Sequence, residues 1–535
     1  MGNIAAAVQA WRELLPPGAV NSEDAVLDRY ARSTQDRGTR PCCILFPDNA
    51  TEVQAIVRIA VAQGVTVYPI SRGKNWGYGD ACAPTEGASI MDLSRMNRIL
   101  EVNTELAYAV IEPGVTQGQL YGYLEERNTG LMMDCTGAGL TASLVGNTLD
   151  RGFGHTRYDD HFLTTCGMEV VLADGRILNT GFGHYPDAKA TWVYRYGVGP
   201  FLDGLFCQSN LGIVTRIGLW LMPKPETATF FYVTVDRDEE LAPLVDRLRP
   251  LRINGTLQTA VHIGNDLRML SSKGRYPWQL TSGKTPLPED VRARLRHEGG
   301  LGAWNAGGAL IGTDGQVRAG RKALKSALSG LGKLKFVSDN KLAWAERVAP
   351  MLRRMGLGAR LEEQIKSLIP IYGLLKGVPT DEPLLGAQWR LRHPPEGPGD
   401  PLDSGCGLMW VSPVLPMTGR AATEVMRIAG PIFPRHGFEP LVTFTMINER
   451  AMIGILNVAF DKAESEETAR AVQCYDALFD ALMTAGYIPY RVGPRAMSKL
   501  TQGSKVFWDL ARQIKQVLDP HNVIAPGRYI SKDLA

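Results

Sequence analysis

The segment Pro69-Ile70-Ser71-Arg72-Gly73-Lys74-Asn75-Trp76-Gly77-Tyr78-Gly79 is the sharpest chemical signal in the chain. It follows VTVYPI, an apolar run that reads as a short buried strand. Glycines at this spacing let the backbone approach a ligand and turn consecutive N–H groups toward one anion. A pyrophosphate is the natural guest. A surface turn linking two strands is the competing reading of the same spacing.

A second cluster, Gly137-Ala138-Gly139-Leu140-Thr141-Ala142, matches GxGxxG/A on paper. It lacks the strand-to-helix setting and the later acid of a dinucleotide-binding βαβ unit, so a Rossmann site is rejected. It runs into SLVGNTLDRGFGHTRYDDHF, where small residues could line another stretch of an extended cofactor. Asp160 and His161 could form an acid/base pair, although a structural histidine near a turn is the favoured role. Tyr490-Arg491 joins a phenolic donor to a cation that cannot lose its charge, a pair able to hold an aryl oxygen. Taken alone, a strand tyrosine beside an exposed arginine is the favoured reading. No HExxH, GxSxG or Walker pattern occurs. The 8 cysteines form no CxxC and no His/Cys cluster at ligand spacing, so they read as buried free thiols and no metal is expected.

The elements that must position these groups alternate between helix and strand. Residues 51–64 carry apolar positions at helical spacing and stop at Gly64. ASIMDL and AYAVIEPG read as strands, and QGQLYGYLEERNTG as a capped helix. Pro223–Glu226 looks like a domain boundary, after which the alternation restarts. Residues 392–407 are dense in Pro and Gly and read as a loop. Residues 467–486 form a helix ending at Gly486, and the tail holds another closed by Asp519-Pro520. A chain of 535 residues suggests two or three domains. With 44% hydrophobic and 21% charged residues and a net charge of +3, nothing points to nucleic acid. No run reaches the ~18 apolar residues of a membrane span. The N-terminus lacks the pattern of a secretory leader, and Ala6 spoils a myristoylation start, so the expected location is cytoplasmic.

Together these segments resemble the vanillyl-alcohol oxidase/4-cresol dehydrogenase family of flavoproteins. The match spans nearly the whole chain. Its strongest stretches are PISRGKNWGYG, MNRILEVNTELAYAVIEPGVT, VGNTLDRGFGHTRYDDHFLTTCGMEVVLADGRILNTGFG, YGVGPFLDGLFCQSNLGIVTRIGLWLMPKP and DPHNVIAPGRY. The resemblance implies an α+β, two-domain fold. A split FAD-binding domain (residues 1–226 and 488–535) would be covered by an α+β cap (227–487) that forms the substrate cavity. Pro69, Ser71, Arg72, Gly73, Lys74, Asn75 and Gly77 would hold the pyrophosphate. Gly146, Asn147, Arg151 and Gly152, with Ile213 and Val214, would line the cofactor, and Arg528 would sit near the flavin. The family's phenol-oxygen clamp maps onto Tyr78, Tyr490 and Arg491, with Met409 and Trp410 as substrate contacts. An arginine and two hydroxyl donors favour the phenolate of a group whose free pKa is about 10. That charge eases hydride departure from the para benzylic carbon to flavin N5, leaving a p-quinone methide.

Departures from the family pattern are equally specific. Where some members tether the flavin through His, GCGLMWVSP places Leu408, and residues 391–407 contain no Tyr for the other type of tether. Dissociable FAD is therefore expected. The vanillyl-alcohol branch carries an active-site Asp in the stretch matching Cys135–Ala142; here stand Thr136, Gly137 and Ala138. The group that handles the quinone methide is thus unassigned, and with it the choice between alcohol and alkene. The electron acceptor is oxygen in some relatives and a c-type cytochrome subunit in others; this chain has no CxxCH, so a haem would belong to a separate partner. A homodimer is expected. Two other readings stand beside this one: a flavin dehydrogenase of a 2-hydroxy acid or sugar lactone, and a catalytically inactive flavin-binding protein.

Overall fold

Short runs of β-branched and aromatic residues, broken by Gly and Pro, set three main sheets in the computed structural model, which describes residues 2–342, 347, 369–501 and 505–530. The first contains β1 (Val20–Asn21), β2 (Cys43–Leu45), β3 (Val67–Ile70) and β4 (Ser89–Asp92), in the order β1-β2-β4-β3. β2 and β3 both run parallel to β4, so a crossover must join them. The Ala50–Gln63 helix supplies it, burying Val53, Ile56, Val57 and Ala60. Asn49 caps its first turn by accepting from Glu52 N, and Gly64 ends it at φ +62°. The tail continues this sheet: Val67 N donates to Val523 O at 2.9 Å and Ala525 N to Val67 O at 2.8 Å.

The second sheet is antiparallel, built from β5 (Ile99–Asn103), β6 (Tyr108–Ile111), β8 (Thr165–Val171), β9 (Ile177–Asn179) and β10 (Ile213–Trp220), in the order β5-β6-β10-β8-β9. β7 (Leu131–Met132) pairs separately with β11 (Met222–Pro223).

The third sheet begins at β12 (Thr227–Val235) and adds β13 (Val261–Asn265), β14 (Trp304–Gly312), β15 (Lys333–Ser338), β16 (Cys406–Val411), β17 (Val414–Pro416), β18 (Leu441–Met446) and β19 (Ala451–Asp461). Its order is β15-β12-β14-β13-β18-β19-β16, with β17 also on β19. One face is apolar. Phe231, Val233, Ile263, Phe444, Leu456 and Val458 share a core there with Leu244, Val317, Val425 and Leu478 from four covering helices, Leu241–Ile253, Asp314–Ala327, Gly419–Ala429 and Ser465–Thr484.

Side chains alternate across a strand, and this corrects one expectation. Met409 points into that helix-covered core and is fully buried, whereas its neighbours Leu408 and Trp410 line the cavity on the opposite face. Met409 therefore does not meet a substrate. The 392–407 segment also holds more structure than its composition suggests. Pro401–Ser404 forms one helical turn capped by Asp400, and β16 starts at Cys406. Among the described residues, no helix is long and apolar enough to cross a membrane.

Candidate active site

A cavity of about 780 Å³ lies between the first two sheets and the open face of the third. Its floor includes the loop leaving β3. Pro69, Ser71, Arg72, Gly73, Lys74 and Asn75 all line it. Gly73 (φ +66°), Gly77 (φ +76°) and Gly79 (φ +103°) allow the chain to wind back on itself. Among the described residues, the amides of residues 72–76 donate to no protein acceptor. Such a run of free N–H groups forms a concavity for an anion. Lys74 pairs with Asp400 across the gap to the third sheet's loops. Gly77 is not part of the lining: a Cβ there would sit 3.0 Å from the Trp410 ring. Its role is to let that indole close onto the loop, which corrects its assignment as a ligand contact.

Gly146, Asn147, Gly152, Ile213 and Val214 line the same cavity. Arg151 does not. It adopts φ +52° after the short Leu144–Leu149 helix and is exposed to solvent, while Asp150 and Gly152 on either side face inward. The reversal of the chain at this residue turns its side chain out.

Asp150, which the sequence patterns passed over, binds the segments together. Its carboxylate accepts from Arg528 Nη2 at 2.8 Å, Tyr529 OH at 3.1 Å and Asn75 Nδ2 at 3.3 Å, and lies 3.5 Å from Arg491 Nη1. Burial raises its pKa, but Arg528 and Arg491 outweigh that and hold it below the usual carboxylate range. Arg528 also donates to Tyr68 OH at 3.1 Å. The only sequence signal for Asp150 was its place inside the LDRG run.

Tyr78, Tyr490 and Arg491 meet around one point. The Arg491 guanidinium lies 4.2 Å from the centre of the Tyr78 ring and 5.4 Å from that of Tyr490. Tyr490 and Arg491 line the cavity; Tyr78 does not, and stands behind them. Its hydroxyl is 2.5 Å from Ser412 Oγ and it meets Trp410 edge-on at 5.4 Å. Burial raises the Tyr490 phenol well above its usual pKa, with Arg491 opposing. Gln208 Nε2 fixes the Tyr490 carbonyl at 2.9 Å, and Phe153 packs on its ring at 5.9 Å.

The open face of the third sheet forms the ceiling. The register sets Tyr232, Gly307, His262 and Thr445 abreast, with Asn305, Gly264, Thr443 and Ile455 in the next row. Asn457 and Trp410 oppose each other on β19 and β16. The ring centres of His262 and His155 are 4.6 Å apart. Burial pushes His155 down to about 4, and lowers His262 well below its usual value. Both are neutral at pH 7. His262 Nδ1 is 3.0 Å from Thr445 Oγ1, leaving Nε2 buried without a partner. Trp76 Nε1, Trp410 Nε1 and Asn457 Oδ1 are similarly unsatisfied. Unpaired polar atoms on cavity-lining side chains await a polar ligand.

His161 does not pair with Asp160, whose side chain caps the following turn at Leu163 N. Instead its Nε2 lies 2.6 Å from Asp134 Oδ2 and its Nδ1 2.6 Å from Asn147 Oδ1. The histidine is structural, bracing Asn147 from behind. Among the described residues, no group of His, Cys, Asp and Glu could hold a metal ion.

Residues 41–181 match a family model described as an FAD binding domain. The chain is 39% identical over 528 residues to 1'-carboxy-chondrochloren decarboxylase of Chondromyces crocatus, covering 98% of this chain and 96% of the relative. It is 33% identical over 531 residues to the flavoprotein subunit of 4-cresol dehydrogenase [hydroxylating] of Pseudomonas putida, covering 98% and 95%. The solved structure of 4-ethylphenol oxidase from Gulosibacter chungangensis in complex with isoeugenol superposes with a TM-score of 0.89 at 28% identity, over 99% of this chain and 97% of that one. The anion cradle, the large cavity and near full-length similarity to these enzymes agree: this chain is an FAD-dependent oxidoreductase and belongs to the vanillyl-alcohol oxidase/4-cresol dehydrogenase family.

Proposed function

We propose that this enzyme oxidises para-substituted phenols at the benzylic carbon. The observation that carries the reading is the meeting of Tyr490 and Arg491 on the cavity wall, with Tyr78 packed behind them. Residues 1–226 and 488–535 would hold FAD, with its pyrophosphate on the free amides of 72–76 and Arg528 and Asp150 beside the ring system. Residues 227–487 would cover it. When bound, FAD supplies the acceptor for a hydride.

The protein's part is to make that hydride leave. Arg491 stays cationic whatever the pH, and the Tyr490 hydroxyl remains a donor because burial keeps its proton in place. Both stabilise negative charge on the substrate's phenolic oxygen. The phenolate pushes electrons toward the para position, so that loss of hydride yields a quinone methide. Asp150 leaves Arg491 less than a full charge to spend on the phenolate, yet it holds the guanidinium in place. The Trp410, Trp76 and Phe153 rings line the cavity and offer apolar surface to the substrate ring.

Three fates of the quinone methide are compatible with this ceiling. Water addition gives an alcohol, and proton loss gives an alkene. The name of the Chondromyces relative describes a third. A carboxylate on the carbon next to the exocyclic one can depart as CO2; its bond pair becomes the new C=C, and the ring regains aromaticity as a phenolate. The electron acceptor in this reading is oxygen or a separate c-type cytochrome.

Anaerobic stopped flow tests the reading. 4-Ethylphenol, vanillyl alcohol or eugenol should bleach the flavin, whereas their O-methyl ethers should not. Tyr490→Phe and Arg491→Ala should slow reduction by roughly 100-fold or more while FAD stays bound. Equal rates for phenols and ethers would remove the phenolate step. Reoxidation of the bleached enzyme by air or by cytochrome c identifies the acceptor.

A further inference from the structure

Arg268 differs from the acid-paired arginines of this fold, and from Arg195, which is buried against Phe162, Tyr196 and Phe201 away from the cavity. Arg491 and Arg528 share Asp150, Arg252 meets Asp159 at 3.0 Å, and Arg390 lies between Glu439 and Glu467. Arg268, on the Asp266–Lys273 helix that follows β13, lines the cavity, yet it pairs with no acid among the described residues. Its one side-chain hydrogen bond there runs from Nη1 to Ser271 Oγ at 3.3 Å. Across from it, the guanidinium approaches Gly386 of the Glu382–Gln388 turn: a Cβ at that glycine would lie 3.4 Å from Nη1. The neighbouring ceiling group, His262, is neutral, and burial acts on Arg268 with no acid to offset it. An unpaired guanidinium on a cavity wall is expensive unless a ligand brings the counter-charge.

The direction of the cavity connects this cation to the clamp. Phe153 packs on Tyr490, and two residues further along His155 packs on His262, whose strand leads into the Arg268 helix. Along the ceiling, β16 and β13 are separated by β19 and β18, a span of about 14 Å at ordinary strand spacing. A phenol held at Tyr490 and Arg491 would therefore send its para substituent past the two histidines toward Arg268.

We propose that Arg268 is an anion-recognition site for a carboxylate carried on the para side chain of the substrate, so that the preferred substrates are phenols with a distal acid group. Planar, two-pronged donation from a guanidinium suits a carboxylate. This deepens the phenol reading above and rests on it for the position of the ring.

The test uses FAD-loaded enzyme and a series of ω-(4-hydroxyphenyl)alkanoates from the acetate to the hexanoate, each paired with the neutral 4-alkylphenol of matching length. Binding is followed by perturbation of the oxidised flavin spectrum, and turnover by anaerobic bleaching. Parallel titrations use the non-phenolic ω-phenylalkanoates. At one or more lengths the acid should bind more tightly than its neutral partner. Arg268→Gln should collapse that preference by about 10- to 100-fold, and Arg268→Lys should restore part of it. A preference that never appears, or that survives in R268Q, overturns the proposal. Because the readout is a ratio of two ligands on one variant, general damage to the fold cancels. If phenols leave the flavin oxidised while ω-phenylalkanoates still bind through Arg268, the phenol reading falls and the anion site stands. If phenols bleach the flavin and acids gain nothing from Arg268, the reverse holds.

Discussion

Arginine cannot shed its charge, and among the described residues Asp150 is the one acid that pairs with both Arg491 and Arg528. Asp150→Asn would leave two buried cations facing each other and should cost about 3–5 kcal/mol, read as a lower Tm and reduced FAD occupancy. The pH dependence follows from the sign of the shift. Its folded pKa is depressed, so its contribution is complete above the unfolded value of about 3.9 and fades as pH falls through the lower folded value. Acid titration of Tm should therefore be shallower in D150N below about pH 4. His155 acts in a different window. Folded, it binds a proton only near pH 4, pushed there by burial, whereas the unfolded chain takes one up below about 6.5. The unfolded state holds the extra proton between those values, so stability drops as pH falls across them, by about 3 kcal/mol in all. His155→Gln should flatten the Tm profile between pH 6.5 and 4. An unchanged slope would place the titrating group elsewhere.

At the scale of elements, the turn after β3 and the strand β16 depend on each other. Gly77 must hold φ +76° and must also present no side chain to the Trp410 ring, which an added Cβ would meet at 3.0 Å. Gly77→Ala meets both obstacles. The backbone strain alone is worth about 1–3 kcal/mol, and the displaced indole would loosen its edge-on contact with Tyr78. The expected result is a lower Tm together with slower flavin reduction by phenols. A Tm loss with normal reduction would separate the turn from the clamp. The same pair shows what could be read from sequence. The loop was legible because its glycines are contiguous and follow an apolar strand. The helix at 51–64 was legible for the same reason, an uninterrupted period closed by Gly64. The ceiling was not. His262, Asn305, Thr445 and Asn457 come from strands far apart in sequence, and they become neighbours only through the order β14-β13-β18-β19. No local pattern encodes that order. Alternation within β16 was legible in principle, and applying it to LMW would have kept Trp410 and discarded Met409.

For the whole molecule, the proposed function has the cofactor gripped by parts drawn from both ends of the chain. The tail joins β3 through Val67, Val523 and Ala525, and it is anchored by Lys515, which is fully buried and donates to Asp519 at 2.6 Å, to Asn210 O at 2.6 Å and to Ile524 O at 2.9 Å. This brings Arg528 to Asp150 on the cavity wall. We propose that the grip is non-covalent on the cap side. Leu408 is the β16 residue lining the cavity where a tethering histidine stands in some relatives, and an aliphatic side chain cannot form a bond to flavin. The cap histidine that does reach the cavity, His262, is buried and holds Thr445 through Nδ1. Precipitation with trichloroacetic acid should therefore release all the yellow colour into the supernatant, and the apoprotein should regain its spectrum when titrated with FAD. Asp150→Asn should weaken that reconstitution, because both arginines on the cavity wall depend on its carboxylate. Colour retained in the pellet, or fluorescent flavin on the denatured chain in a gel, would mean that another side chain bonds the ring, and the grip described here would then be only part of what holds it.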